Sequence, residues 1–95
     1  MTEESEPVRI PITDELDLHT FQPAEIASLL EEYLAACRDR GLGEVRIVHG
    51  KGTGTLRETV HALLRRSPWV DSFRLGNETS GGWGATLVRL KMGAR

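Results

Sequence analysis

Apolar and polar positions recur along most of this chain with two periods, two and roughly 3.6, and together they mark out six elements. Residues 15–19 alternate: Leu16 and Leu18 face one side, Asp17 and His19 the other, as in a half-buried strand. Ahead of them Val8-Arg9-Ile10-Pro11-Ile12 also alternates, but Pro11 demotes that stretch to an edge or an extended lead-in, and Thr13-Asp14 reads as a turn. Ile26, Leu29, Leu30, Tyr33, Leu34 and Cys37 then follow helical spacing and form one core-facing stripe. Pro23 suits the first turn of that helix, where its missing N–H is no loss, and Gly41 after Arg38 and Arg40 suits its end.

Residues 44–48 carry the apolar run of a second strand. Leu56, Val60, Leu63 and Leu64 form the inward stripe of a second helix, from about Gly54 to Arg66, closed by Ser67-Pro68. Residues 70–75 read as a third strand with Phe73 and Leu75 inward, and Trp69 beside it as core. A long turn over 76–84 leads to a last strand over 85–91. The order β-α-β-α-β-β predicts an α/β two-layer sandwich, a mixed four-stranded sheet with two helices on one face. The first connection is a βαβ unit, so its two strands run parallel and their C-terminal ends share one edge of the sheet.

Ninety-five residues make one domain and a modest core. The expected organisation is an acidic, partly disordered lead-in over 1–12, the domain over 13–92 and a frayed end over 93–95. A net charge of −2 argues against a global basic field. Locally the balance differs: between His49 and Arg66, Lys51, Arg57, Arg65 and Arg66 face Glu58 alone. Arg57, His61 and Arg65 share a helix face, a basic stripe that is either a solvated surface or a track for a phosphate backbone. Arg46, Arg74 and Arg89 fall on separate strands and are expected on one sheet face. Cys37 is the single cysteine, so no intrachain disulfide and no cysteine zinc site follows, and its place on the apolar stripe marks it as a small buried hydrophobe. No apolar run approaches the ~18 residues of a membrane span, and the start is acidic rather than basic. A cytoplasmic protein, without membrane association, is the default expectation.

The chemistry gathers around His49-Gly50-Lys51-Gly52-Thr53-Gly54. A strand that enters a helix through a glycine turn makes an anion site, because free backbone N–H groups and the helix dipole point outward there. Lys51 adds a full charge, Thr53 a hydroxyl and Arg57 a second cation, while His49 titrates near neutral pH. The plainer alternative is a loop whose glycines only permit positive φ. Neither better-known phosphate loop fits: Thr55 stands where the dinucleotide fingerprint needs its third glycine, and Lys51 precedes Gly52 rather than Ser or Thr. Asp17 and His19 share a strand face two residues apart, so the carboxylate can orient the imidazole as a general base; the alternative is that both simply face solvent. The parallel arrangement lets Asp17, His19 and His49 converge on one edge. Trp83, among Gly81, Gly82 and Gly84, either stacks on a nucleobase or folds over the core edge.

Three stretches resemble one family in order and spacing. Leu16-Asp17-Leu18-His19 is similar to the Leu-Asp-Leu-His-Gly motif of the small MutS-related (Smr) domain. The turn from His49 to Gly54 is similar to its His-Gly-x-Gly-x-Gly motif, and Gly81-Gly82-Trp83-Gly84-Ala85-Thr86 to its late Gly-Gly-x-Gly-Ala-Thr segment. The resemblance implies a sandwich like the C-terminal domain of translation initiation factor 3. It also implies endonuclease chemistry on nucleic acid, some family members acting on messenger RNA at stalled ribosomes. Asp17, His19, His49, Gly50, Lys51, Gly52 and Gly54 match the family's motif positions, and Glu25 falls where members often carry an early-helix glutamate. One position departs: Thr20 stands in place of the motif's glycine.

The resulting expectation is a nuclease acting on RNA before DNA, with the ribosome among its expected partners and with Asp17, His19 and His49 catalytic. Gly50, Lys51, Gly52, Thr53, Gly54, Arg57 and Trp83 would bind the phosphates and bases. No cofactor is required, a single Mg²⁺ being the one metal the acids could hold, and the chain is a monomer or weak homodimer. The alternatives are a nucleic-acid- or ribosome-binding module without turnover, and a small structural domain.

Overall fold

The computed structural model describes residues 12–50, 54–76 and 84–92. The lead-in over 1–11, the turn residues Lys51, Gly52 and Thr53, most of the long turn with Trp83, and the end over 93–95 lie outside them. The described elements are β1 (Glu15–Asp17), α1 (Pro23–Asp39), β2 (Glu44–Val48), α2 (Thr55–Arg66), β3 (Val70–Leu75) and β4 (Ala85–Leu90). They form one four-stranded sheet in the order β1-β2-β4-β3. β1 and β2 are parallel, with Asp17 opposite Val48; the other two pairings are antiparallel. One buried cluster unites Ile26, Leu30 and Leu34 of α1 with Val60 and Leu64 of α2 and with Leu16, Ile47 and Val88 of the strands. This is the expected α/β sandwich.

β1 is shorter than the alternation suggests. Leu18 still donates its N–H to the Val48 carbonyl at 2.9 Å, but the Asp17 carboxylate takes the His19 N–H at 3.0 Å. That side-chain bond turns the backbone out of the ladder, as a short carboxylate can do where a strand ends. Phe21 N–H then closes onto the Leu18 carbonyl at 3.0 Å.

Each end of α1 is tied by local bonds. Gln22 N–H donates to Glu25 Oε1 at 3.0 Å, half of a capping box, which gives Glu25 a structural task at the helix start. At the other end Leu42 N–H reaches the Cys37 carbonyl and Gly41 N–H the Arg38 carbonyl, the paired bonds of a Schellman stop. Cys37 is fully buried, and burial raises its thiol pKa, so it behaves as the small hydrophobe expected. The Tyr33 hydroxyl donates to the Thr13 carbonyl, pinning the turn before β1 onto the helix.

β3 departs from the expected burial. Val70 is its buried member, while Phe73 and Leu75 are half-buried. β3 is an edge strand, and a register shift between Val70 and Ser72 breaks its alternation. Trp69 is also half-buried rather than core. It packs at the core's margin with the Arg38 guanidinium 4.9 Å over its ring. The three strand arginines do share the open face: Arg46 and Arg74 both stand opposite Leu87, and Arg89 opposite Glu44. Arg46 there meets Glu15 at 2.9 Å.

Candidate functional site

All three glycine- or histidine-bearing motifs reach one edge of the sheet. β1 and β2 run parallel, so both end there, and β4 starts there because it runs against β2, with Ala85 opposite Val48. His49 N–H and Gly50 N–H both donate to the Gly84 carbonyl at 2.8 Å, joining the start of the glycine turn to the last glycine before β4. The expected meeting of motifs at this edge is therefore present. The side chains at this edge fall into two hydrogen-bonded units: Asp17 and His19 form one, His49 belongs to another, and among the described residues no hydrogen bond joins them. Alternation is the reason. Asp17 lies exposed between buried Leu16 and Leu18, whereas His49 follows Val45 and Ile47 into the core side.

In the outer unit His19 Nδ1 lies 2.7 Å from Asp17 Oδ1, with side chains 66% and 50% exposed. The ionised carboxylate only accepts, so Nδ1 carries the proton, and in the neutral imidazole Nε2 keeps its lone pair. The His19 backbone N–H, and then its ring, hold the Asp17 carboxyl below the usual carboxylate value against a small opposing effect of burial. Asp17 thus fixes both the orientation and the tautomer of an exposed imidazole, which is what a general base requires.

The inner unit contains residues that sequence reasoning placed elsewhere. His49 is 5% exposed and Thr86 fully buried. His49 Nε2 lies 2.8 Å from Thr86 Oγ1, and His61 Nε2 lies 2.7 Å from the same oxygen. His49 Nδ1 meets the Gly50 carbonyl at 3.1 Å. The two rings stand edge to face with centroids 6.1 Å apart, and His61 also packs on Phe73 at 4.9 Å. Burial lowers the pKa of both imidazoles. Arg57 reinforces this for His49 against the Gly50 carbonyl, and His49, Arg65 and Arg57 reinforce it for His61 against Glu58. The stripe Arg57, His61, Arg65 is therefore not a uniform solvated face, since His61 turns inward. Two signals for this exist in the sequence. Position 61 adjoins Val60 and lies one turn before Leu64, and Thr86 occupies an inward position in the row with Val88 and Leu90, where a hydroxyl needs a partner.

The far end of the turn is built by Gly54. It caps α2 in the left-handed region at φ +90°, and the Arg57 guanidinium lies so close that a Cβ there would stand 2.8 Å from Nη2. The positive φ is what calls for glycine, and the mobile Arg57 guanidinium lies over it, bringing its charge to the helix start. Gly50, at φ +86°, opens the turn in the same region with free space around it. No three His, Cys, Asp or Glu side chains among the described residues gather closely enough to hold a metal ion. No described helix is long and apolar enough to cross a membrane.

A two-layer α/β domain with a carboxylate-oriented histidine beside a histidine-led glycine turn is the class this geometry defines. The comparisons place it within that class. The Smr domain model matches residues 16–91, and the chain belongs to the Smr domain family. It is 42% identical over 80 residues to the Endonuclease MutS2 of Clostridium novyi, covering 84% of this chain and 10% of that protein. The Endonuclease MutS2 of Thermomicrobium roseum is 42% identical over 81 residues, 85% of this chain and 10% of its own. The chain thus spans about a tenth of the length of these curated relatives. Among solved structures, the Smr domain of Thermus thermophilus MutS2 superposes with a TM-score of 0.77 at 38% identity, covering 83% of this chain and 99% of that one. YdaL, a stand-alone small MutS-related protein from Escherichia coli, superposes at 0.72 with 27% identity, covering 82% and 64%.

Proposed function

We propose that the chain is an endonuclease that cleaves phosphodiester bonds, acting on RNA in preference to DNA, in the cytoplasm and at the ribosome. The observation that carries this reading is the exposed Asp17–His19 pair, 2.7 Å apart at the edge where the glycine turn opens. His19 Nε2 accepts the proton of an RNA 2′-hydroxyl, and the O2′–P bond forms as the P–O5′ bond breaks; the leaving 5′-oxygen takes a proton from water or from the now protonated His19, giving a 2′,3′-cyclic phosphate and a 5′-hydroxyl. Arg57 and, by their place in the sequence, Lys51 and the backbone N–H groups of residues 51–53 stabilise the charge that grows on phosphate. On DNA the same base would have to activate water. The similarity to chains named endonuclease supports the reaction class, and the preference for RNA rests on this base chemistry.

His49, read from the sequence as catalytic, is better assigned to holding the turn. Both its ring nitrogens are engaged and burial favours its neutral form. The RNA route draws on no metal. If one Mg²⁺ assists, Asp17 is the acid beside the base that would hold it, as a partner to the substrate phosphates.

A binding module without turnover is the second reading, favoured by Thr20, which stands exposed beside His19 where the family motif has glycine. A denaturing-gel assay separates the two. Labelled single-stranded RNA, structured RNA and DNA are incubated with the wild type, each with EDTA and with Mg²⁺. The nuclease reading predicts cutting of RNA that survives EDTA. A salt-sensitive gel shift with no cutting in any lane assigns the binding module instead.

A further inference from the structure

The His49–Thr86–His61 cluster is not absorbed by the Asp17–His19 chemistry, yet its hydrogen bonds have a single consistent direction. The Gly50 carbonyl can only accept, so His49 Nδ1 carries the proton at that 3.1 Å contact. Neutral His49 therefore offers the lone pair of Nε2, and the Thr86 hydroxyl donates to it at 2.8 Å. A hydroxyl has one hydrogen to give, so Thr86 Oγ1 must accept at its other contact, and His61 Nε2 donates to it at 2.7 Å. The chain of donors runs from α2, through β4, to the first carbonyl of the glycine turn.

The placement explains why a hydroxyl is present in the core at all. Thr86 is fully buried in the inward row with Val88 and Leu90, where valine would pack equally well and need no partner. His49 precedes the glycine turn and His61 lies on the helix that follows it, so the cluster ties together the two ends of that turn. Burial and then Arg57 lower the His49 pKa against the Gly50 carbonyl, and burial, His49, Arg65 and Arg57 lower that of His61 against Glu58, which favours the neutral rings the directional pattern requires.

We infer that Thr86 and His61 are positioning residues: they lock His49 as its Nδ1–H tautomer, bonded to the Gly50 carbonyl, and so hold the entrance of the glycine turn in shape for a phosphate. The phosphate in this statement rests on the nucleic-acid reading above; the locked tautomer does not.

The test is made on the full chain by long-range proton–nitrogen correlation spectra of the histidine rings at neutral pH, for wild type, Thr86→Val and Thr86→Ser. The wild type should show His49 protonated at Nδ1 and His61 at Nε2. Thr86→Val should release both preferences, and Thr86→Ser should restore them. A wild-type His49 that is protonated at Nε2 or averages between tautomers overturns the inference, and this measurement stands even if Thr86→Val fails to fold. A folded Thr86→Val with both tautomers unchanged also overturns it. A second arm reads the affinity for a labelled single-stranded RNA at low salt, where Thr86→Val should bind on the order of tenfold more weakly and Thr86→Ser like wild type. Wild type without any RNA affinity refutes the nucleic-acid reading, while the tautomers still decide the positioning claim. Equal RNA binding by a folded Thr86→Val overturns the link from the lock to the turn.

Discussion

The Asp17–His19 pair and the His49–Thr86–His61 cluster lie at one edge of one sheet, and each directs an imidazole by hydrogen bonding. They differ in what surrounds them. The pair stands in solvent, its carboxylate setting one ring nitrogen and leaving the other without a partner among the described residues. The cluster is packed into the core side, and the Nε2 atoms of both its rings are occupied by one hydroxyl. An exposed, oriented base can meet a substrate; a buried network with its bonds satisfied holds shape. Two histidines that look equivalent in the sequence, His19 and His49, thus stand in opposite surroundings, and the proposed function gives the first a chemical role and the second a positioning role.

The sharpest way to break this division is to remove one ring from each unit. His19→Ala should lower RNA cleavage about 10²–10⁴-fold, the usual contribution of a positioned general base, and leave the thermal midpoint unchanged. A large fall in the midpoint would place His19 in the structural class instead. Asp17→Asn should cost less, about tenfold to a hundredfold in cleavage, because the ring remains but loses its orienting charge.

Thr86→Val should behave in the opposite manner. It leaves two ring nitrogens without their partner, each costing about 1–3 kcal/mol, and urea unfolding should report the loss. A stable Thr86→Val would mean the cluster is relaxed and the comparison drawn too strongly.

Acid should separate the two units along the pH axis. His49 and His61 have pKa values below the ordinary imidazole value, so below about pH 6.5 the unfolded chain takes up protons first and stability falls with pH. Asp17 is lowered from 3.8, so its contribution persists until pH falls below that value. Urea midpoints measured against pH should therefore decline in two windows, and His61→Gln should flatten the upper one. The smallest effect belongs to the open sheet face: Arg46→Ala removes an exposed ion pair with Glu15 and should change stability by about 0–1 kcal/mol in the same assay.

The sequence contained most of the scaffold because the scaffold follows periodicity. The α1 stripe, the parallel β1 and β2 and the burial of Cys37 all follow from local spacing. The Asp17–His19 pair was readable from the same alternation, although β1 ends at Asp17 and it is the carboxylate's bond to the His19 N–H that completes the pairing. The inner cluster was not, because it depends on tertiary rotation: His61 belongs by spacing with Arg57 and Arg65, and only packing against Phe73 and Thr86 turns it inward. Likewise the irregular register of β3 moves burial from the expected Phe73 and Leu75 to Val70, and nothing in the strand's composition marks that irregularity.

The most direct measurement takes wild type and an Asp17→Ala/His19→Ala double variant, purified identically, and records RNA cleavage alongside the thermal midpoint. The account predicts that the variant loses cleavage while staying folded, its midpoint lowered only by the loss of the two exposed Asp17–His19 bonds. Cleavage retained by the variant, or lost only together with its fold, would contradict it.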